Sequence, residues 1–405
     1  MINIAVLGYG TVGSGVIEVM KTNGASINRR VGKDIKIKYV LDIKDFPGDP
    51  VEDILVRDFT TILEDKDIAI VVEVMGGIEP AYTFVKKSLL AGKSVVTSNK
   101  ALVATHGAEL LAIAVEKNIN FLFEASVGGG IPIIRTLNSS MTADEIWEIT
   151  GILNGTTNYM LTKMFYEGAD YAAVLKEAQE KGYAERNPEA DVEGYDACRK
   201  IAILASLISG QQVDFEDIYT EGITEISKED ILYAKEMGYT IKLLACMRRN
   251  VHEIHAIVAP YFVGGDQILA SVNGVFNAVL IKGNILGDAM FYGRGAGKLP
   301  TASAVVADVV DAAKHLNANV LSMWESDKAT LKPIADIKRK FFVRIKGTPE
   351  ALKAHLEVHF GEIEVVSVDG LEGEFAFVSS VMTEGEYGQA AVEFPRIIKM
   401  IRMET

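Results

Sequence analysis

Short apolar runs of strand length alternate with helical segments through the first third of the chain. The runs span residues 2–7, 35–41, 68–75, 94–97 and 120–125, and several are rich in β-branched side chains. This alternation is typical of βαβ units, in which parallel strands are buried on both faces by helices. We therefore expect an α/β fold whose first domain, residues 1–130, is a Rossmann-type parallel sheet.

The first apolar run leads directly into a glycine-rich turn and then a helix. A strand, a G-x-G-x-x-G turn and a helix in this order form the dinucleotide fingerprint. Gly8 allows the tight turn, Gly10 lets the backbone approach a pyrophosphate, and Gly13 lets helix and strand pack closely. We predict a helix over 14–21 that ends at 23–24. The predicted dinucleotide-binding residues of this turn are Gly8, Gly10, Thr11, Val12 and Gly13.

The carboxyl ends of the later strands supply further candidate contacts, because ligands of open α/β sheets bind there. Asp42 follows the second strand, where a carboxylate accepts hydrogen bonds from the ribose of NAD and repels the 2′-phosphate of NADP. Lys44 lies close by and would partly offset that repulsion. The alternative is that Asp42 only caps the end of the strand. The turn at Met75-Gly76 and the segment from Thr97 to Lys100 lie beside the expected reactive end of the cofactor. Lys100 is either a ligand contact or a solvated lysine at a helix start.

Three consecutive glycines follow the fifth strand and precede Pro132. Their carbonyl groups, together with the carboxylate of Glu124, suit a hard monovalent cation, since such ions take oxygen ligands. The alternative is a hinge between domains with no metal.

An acidic stretch at 182–200 leads into an apolar helix. Asp196 and Lys200 are four residues apart, so their side chains share one helix face. A lysine whose stem enters an apolar helix loses hydration, which favours proton transfer. The alternative is a surface loop with an ordinary ion pair.

Further along, a polar turn at 151–159 opens an apolar helix; its amides and the Thr156 hydroxyl suit a small carboxylate, or serve only as an N-cap. Strand-like runs at 241–247 and 254–259 predict an α+β middle domain over 131–298. A second glycine loop precedes a helix at 299–320, which we expect to complete the first domain. Residues 338–405 have a βαββαβ order typical of a ferredoxin-like module.

Composition and net charge narrow the range of possible functions. The chain has 405 residues, a formal net charge of −14 and two cysteines, Cys198 and Cys246, which we interpret as buried hydrophobes. The acidic balance argues against nucleic acid as a partner, and no run reaches the ~18 apolar residues of a membrane helix. His252 and His255, three apart in an alternating segment, do not favour a shared metal. We expect a cytoplasmic protein.

Seven motifs taken together resemble the homoserine dehydrogenase family over nearly the whole chain. They are GYGTVG at 8–13, SNK at 98–100, EASVGGGIP at 124–132, GILNGTTNYM at 151–160, GYAE at 182–185, DVEGYDACRK at 191–200 and YGRGAGKLPT at 292–301. The resemblance implies NAD(P)-dependent interconversion of L-homoserine and L-aspartate 4-semialdehyde, in threonine, methionine and isoleucine biosynthesis. It also implies a homodimer or higher oligomer and an ACT-type regulatory tail.

The resemblance further implies residue roles. Lys200 is the proton donor and acceptor, and Lys100 lies between cofactor and substrate. The implied substrate-site residues are Glu185, Asp196, Asp191, Tyr183, Gly155 and Thr156. Gly182 and Gly297 join Gly10, Thr11 and Val12 as dinucleotide contacts. The implied ligands of a sodium-like ion are Glu124, Val127, Gly129 and Ile131.

Three departures from the family pattern refine this picture. Leu41 precedes Asp42 where many members have an arginine, which favours NAD over NADP. Arg186-Asn187 places an extra cation beside Glu185, and the tail lacks the usual turn after its first strand. Two alternatives remain open at this point: an NAD(P) oxidoreductase for another amino acid, and a non-catalytic NAD-sensing regulator.

Overall fold

The computed structural model describes residues 1–251, 253–320 and 324–404, so His252 and Thr405, the last residue of the predicted tail module, lie outside the described residues. A six-stranded, all-parallel sheet forms the N-terminal part, with strands β1 (Ile2–Leu7), β2 (Ile35–Leu41), β3 (Leu55–Val56), β4 (Ile68–Glu73), β5 (Ser94–Thr97) and β6 (Phe121–Leu122). Their order across the sheet is β3-β2-β1-β4-β5-β6. The helices among them are α1 (Thr11–Val31), α2 (Phe59–Glu64), α3 (Ala81–Leu90) and α4 (Lys100–Glu116). The Rossmann-type sheet is therefore confirmed.

The first helix is longer than predicted. It continues through Asn23 and Gly24 and ends at Val31, where Gly32 adopts a left-handed conformation (φ 76°). The prediction that Asn23-Gly24 ends the helix is therefore wrong. Ile27, beyond those two residues, is buried in the core. Burial of an apolar side chain contributes about 1.5–3 kcal/mol, which exceeds the roughly 1 kcal/mol that a glycine costs in a helix.

The middle part is a mixed sheet covered by helices. The strands of this sheet are β7 (Ile146–Ile152), β9 (Tyr219–Thr220), β10 (Tyr239–Arg249), β11 (Ile254–Gly264), β12 (Phe276–Gly283) and β13 (Gly287–Arg294). The short strand β8 (Gln211–Gln212) lies outside it and pairs with residues 325–328 in a separate two-stranded sheet. The helices of the middle part are α5 (Gly155–Glu167), α6 (Tyr171–Glu180), α7 (Glu189–Val192), α8 (Tyr195–Ser209) and α9 (Lys228–Glu236). The main strands run antiparallel in the order β13-β12-β7-β10-β11. Cys198 and Cys246 are both buried free thiols, as predicted.

The next helix, α10 (Lys298–Lys314), packs against the N-terminal part. A Cβ added to Gly15 of α1 would lie 2.8 Å from the carbonyl oxygen of Lys298, so the two helices are in close contact. The backbone amide of Glu124 also donates to Asp308 of α10 at 2.8 Å. The helix thus adds to the core of the first sheet, although the domain boundaries at 130 and 298 stay predictions.

The tail has the predicted βαββαβ succession. The six elements of that succession are β16 (Phe341–Lys346), α11 (Pro349–Phe360), β17 (Glu364–Val366), β18 (Glu374–Val378), α12 (Glu384–Val392) and β20 (Ile397–Met403). Two short strands outside it, β15 (Lys338–Arg339) and β19 (Met382–Thr383), pair with each other, and β14 (Glu325–Lys328) precedes the tail and pairs with β8. Four of these strands lie in the order β20-β16-β18-β17, and β20 pairs in parallel with β11. The middle and tail sheets therefore form one ten-stranded sheet. No described helix is long and apolar enough to cross a membrane.

Candidate active site

A cleft of about 620 Å³ separates the strand ends of the first sheet from the amino-terminal ends of α5 and α8. It is the place where most of the predicted site residues meet. Those that line it are Val12, Lys100, Val127, Gly129, Gly155, Thr156, Gly182, Tyr183, Glu185, Asp191, Asp196, Lys200 and Gly297. Residues from six separate segments of the chain thus converge on one space.

Asp196 and two lysines form an ion-pair cluster at the base of this cleft. Lys200 Nζ lies 2.7 Å from Asp196 Oδ2, and Lys100 Nζ lies 2.9 Å from Asp196 Oδ1. Lys200 Nζ also donates to the carbonyl oxygen of Leu153 at 2.8 Å. Burial by itself raises the pKa of Asp196, but the charges of Lys200 and Lys100 outweigh it and hold the pKa below its usual range. Asp196 therefore stays ionised between the two ammonium groups.

Asn154 connects this cluster to a second carboxylate. Its amide nitrogen donates to Asp191 Oδ1 at 2.8 Å and to Asp196 Oδ2 at 3.0 Å. Its carbonyl oxygen accepts from the backbone amide of Thr157 at 2.9 Å, which caps α5. Burial raises the pKa of Asp191, and the Asn154 amide acts in the opposite direction. The sequence predictions missed Asn154; its position between a strand and an apolar helix indicated only a helix cap.

The rim of the cleft is formed by the predicted substrate segment. Tyr183 packs edge-on against Tyr159, with ring centroids 5.0 Å apart. The Thr156 hydroxyl donates to the Tyr183 carbonyl oxygen at 2.6 Å, so the start of α5 is tied to this segment. Glu185 is exposed and lines the cleft, as Asp191 does. When a ligand fills the cleft and removes water from these carboxylates, their charge must be paired, and a cationic group of the ligand can supply that pairing.

The glycine turn at 8–13 has the geometry that dinucleotide binding requires. Gly8 has φ +99°, and a Cβ added to Gly13 would lie 2.0 Å from the Gly8 carbonyl oxygen, so both positions demand glycine. A Cβ added to Gly10 would meet no atom within 4 Å. Gly10 and Thr11 stand at the start of α1, whose amides and dipole favour an anion. The turn thus leaves open space where a pyrophosphate is expected.

Asp42 is bound to that turn. Its Oδ2 accepts the Tyr9 backbone amide at 2.7 Å, and its Oδ1 accepts the Lys44 amide at 2.9 Å. Arg57, which the sequence predictions missed, donates to the carbonyl oxygens of Asp42 and Lys44 and pairs with Asp45. The carboxylate therefore lies beside the glycine turn, as a ribose contact requires.

A buried carboxylate organises the remaining predicted cofactor contacts. Glu73 Oε1 accepts the Met75 amide at 2.8 Å and the Gly76 amide at 3.4 Å, and Oε2 accepts the Thr97 hydroxyl at 2.5 Å. Asn99 then donates to the Gly77 carbonyl oxygen at 2.5 Å. These contacts tie together the two turns that precede Lys100. Met75, Gly76 and Thr97 themselves do not line the cleft.

The predicted cation ligands lie in one compact turn. Glu124 is buried, and its two carboxylate oxygens accept the amides of Ile134 (2.8 Å) and Arg135 (2.7 Å). Burial raises the Glu124 pKa, and those backbone hydrogen bonds oppose the rise. A Cβ added to Gly129 would lie 2.2 Å from the Gly295 carbonyl oxygen. This glycine is thus explained by the close packing of two loops.

Several cleft residues were absent from the predicted set: Ser98, Lys181, Asn277, Arg294 and Thr301. Ser98, Arg294 and Thr301 belong to recognised motifs, so the motif boundaries already pointed to them. Asn277 lies in β12, where no local pattern marks it.

Comparison with known proteins settles the family. A homoserine dehydrogenase model matches residues 132–310, and a homoserine dehydrogenase NAD-binding-domain model matches residues 8–124. Homoserine dehydrogenase of Synechocystis sp. is 41% identical and covers 98% of this chain and 96% of its own length. The chain belongs to the homoserine dehydrogenase family.

Solved structures of the homoserine dehydrogenase family share the fold. That of Thiobacillus denitrificans is 36% identical, with a TM-score of 0.91 over 100% of this chain and 98% of its own. A hyperthermophilic archaeal homoserine dehydrogenase in complex with NADPH is 29% identical, with a TM-score of 0.66 over 77% of this chain and 97% of its own. The resemblance inferred from the seven motifs is confirmed. The chain is an NAD(P)-dependent oxidoreductase by family, and neither alternative is favoured.

Proposed function

We propose that this chain interconverts L-homoserine and L-aspartate 4-semialdehyde by NAD(P)-dependent hydride transfer, with Lys200 handling the proton. The observation that carries the proposal is the convergence of Lys200, Asp196 and Lys100 in a cleft that also contains Val12 of the glycine turn. A proton-transfer group and a cofactor-binding turn thus face the same space.

In this proposal, Lys200 exchanges a proton with the substrate hydroxyl oxygen. An ammonium group has three N–H donors. Two of them are directed at Asp196 and the Leu153 carbonyl oxygen, which leaves one for a group in the cleft. In the oxidising direction, neutral Lys200 takes the hydroxyl proton as the alcohol becomes an aldehyde; in the reducing direction, charged Lys200 returns it.

The acidic rim suits the other end of an amino acid. Glu185 and Asp191 both line the cleft and supply negative charge for an ammonium group. A charge-assisted hydrogen bond of this kind contributes more than a neutral one. We assign these two residues, with Asp196, Tyr183, Gly155 and Thr156, to the substrate site.

The glycine turn suits a nicotinamide dinucleotide. When bound, the nicotinamide ring supplies or accepts the hydride. The open space at Gly10 and the Asp42 carboxylate beside the turn would hold its pyrophosphate and ribose. Because a carboxylate at Asp42 disfavours a 2′-phosphate, NAD is the preferred cofactor in this proposal. Met75, Gly76, Thr97, Gly182 and Gly297 would complete the site.

We also propose a sodium-like ion in the turn of Glu124, Val127, Gly129 and Ile131. One carboxylate and three carbonyl groups give an oxygen-only set with a single negative charge, which suits a monovalent cation. Glu124 accepts backbone amides at both oxygens, and a carboxylate with about four lone-pair sites would still offer one to the ion.

Three further assignments belong to the proposal. The protein would act in the cytoplasm as a homodimer or higher oligomer, within the biosynthesis of threonine, methionine and isoleucine. The tail would be an ACT-type regulatory module, supported by its strand order β20-β16-β18-β17.

The test is a steady-state assay of the purified protein. NADH formation should depend on L-homoserine, with NAD favoured over NADP, and should be weak with L-serine or L-threonine in its place. Failure of L-homoserine to support reduction of either cofactor would refute the proposed function.

A further inference from the structure

The wall of the cleft contains a buried amide whose oxygen has no hydrogen-bond donor among the described residues. Asn277 is 1% exposed and lines the cleft, yet its Oδ1 accepts no hydrogen bond from the part of the chain that the structure describes. Among the described residues, Ser88, Tyr233 and Arg339 also have such an atom, but none of the three lines the cleft. An unsatisfied buried polar group costs about 1–3 kcal/mol, so its retention calls for an explanation.

The amide lies between the two halves of the site. A Cβ added to Gly295 would lie 2.0 Å from Asn277 Nδ2 and 2.7 Å from its Oδ1. A Cβ added to Gly155 would lie 3.5 Å from the same Oδ1. Gly155 begins α5 on the proposed substrate side, and Gly295 leads to Gly297 on the proposed cofactor side. Both neighbours lack a side chain that could cover the amide.

The backbone around Asn277 is held in place. The residue pairs with Gly293 across the β12–β13 ladder. Asn158 Nδ2 donates to the carbonyl oxygens of Val272 (3.2 Å), Gly274 (3.0 Å) and Phe276 (3.0 Å), which fixes the segment before the strand. Lys242 Nζ adds a bond to the Val272 carbonyl oxygen at 2.5 Å. These contacts hold in place the backbone that carries the Asn277 side chain at the cleft.

We propose that Asn277 Oδ1 is a ligand-binding acceptor that receives an N–H group of a molecule bound in the cleft. The proposal rests on the proposed function, which puts two such groups in the cleft: the carboxamide of a nicotinamide ring and the ammonium of an amino acid. Both present an N–H donor to a neutral oxygen that lies where cofactor and substrate meet.

The test compares Asn277→Leu, which removes the acceptor at similar volume, with a control two residues further on the same strand. Val279→Ala alters a buried side chain of β12 that does not line the cleft. Two constants are measured: the Kd of NADH for the apoprotein, and the KM for L-homoserine. We expect Asn277→Leu to raise either the Kd or the KM about tenfold, while Val279→Ala leaves both constants near those of the unaltered protein.

The two sources give different results. If the donor is the nicotinamide carboxamide, the Kd of NADH rises, and the effect disappears with the reduced 3-acetylpyridine analogue, which has no amide N–H. If the donor is the substrate ammonium, the Kd of NADH is unchanged and the KM for L-homoserine rises. A folded Asn277→Leu variant with both constants unchanged overturns the proposal.

Two complications leave the test decisive. If Asn277→Leu does not fold, Asn277→Ala, which adds no bulk, replaces it. If the unaltered protein does not oxidise L-homoserine, the proposed function fails by itself. The Asn277 proposal then depends on the NADH titration alone, and an unchanged Kd overturns it.

Discussion

Lys200 Nζ and Asp196 Oδ2 lie 2.7 Å apart on successive turns of α8, and both side chains are about nine-tenths buried. Asp196 is shared, because its other oxygen binds Lys100 at the start of α4. One carboxylate therefore holds two cations that come from opposite sides of the cleft. Removing any of the three changes the charge balance felt by the other two.

Replacement of Lys200 should separate chemistry from binding. We expect Lys200→Ala to lower kcat by about 10²–10⁴-fold, the usual range for a lost general acid or base. The Kd of NADH should stay within a few fold, since the glycine turn is untouched. Lys176→Ala, at an exposed pair with Glu180, is the matched control. Near-normal turnover in Lys200→Ala would rule out the proton-transfer role.

Asn154→Ser should preserve the cap of α5 and remove the hydrogen bonds that link Asp191 and Asp196. Serine caps helices about as well as asparagine, so the melting temperature should change little. Its short side chain cannot reach both Asp191 and Asp196. Loss of the amide lets the pKa of Asp191, already raised by burial, rise further. The acid limb of the kcat/KM profile should then move to higher pH, whereas an unmoved limb at unchanged stability would show that Asn154 only caps α5.

Asp42→Ser should shift cofactor preference. Like charges about 4 Å apart repel by about 1–4 kcal/mol in media between water and a protein surface. Removing the carboxylate should therefore raise the NADP to NAD ratio of kcat/KM at least about tenfold. Asp67→Ser, at an exposed pair with Lys38, serves as control. An unchanged ratio would mean that the Asp42 carboxylate only accepts the Tyr9 and Lys44 backbone amides.

Arg344→Met should lower the free energy of unfolding without a direct effect on catalysis. Arg344 is buried and binds Asp230 at 2.7 Å and Glu374 at 2.8 Å. Leaving Asp230 buried and unpaired should cost about 3–5 kcal/mol in the free energy of unfolding. Chemical denaturation measures this loss, with Lys353→Ala at an exposed pair as control. Adding Asp230→Leu should recover part of it; a loss below about 1 kcal/mol for the single variant would contradict the argument.

Much of this molecule follows from local sequence. The glycine turn and the apolar strand runs predict the first sheet because their constraints act between neighbours in sequence. Gly8 needs a positive φ, and Gly13 needs close contact with Gly8. The pair Asp196 and Lys200 was predicted for the same reason, since four residues make one helix turn.

What the sequence could not show depends on distant contacts. The extension of α1 past Gly24 is set by burial of Ile27 against the sheet. Asn154 reaches Asp191 and Asp196 only once α5 and α8 are packed, and Arg57 reaches Asp42 across the turn between two strands. Asn277 lies in an ordinary strand pattern. Its place in the cleft follows from the packing of two glycine segments.

The backbone pairing of β11 with β20 affects how this protein unfolds. Phe262 stacks on Phe342 across that junction, with ring centroids 4.3 Å apart, and Arg402 binds both Glu221 and Glu384 there. Detaching the tail would leave backbone groups of β11 without their β20 partners and would expose the side chain of Phe262. Middle and tail parts should therefore melt together as one cooperative unit, and a chain cut before Lys338 should tend to aggregate through the exposed strand.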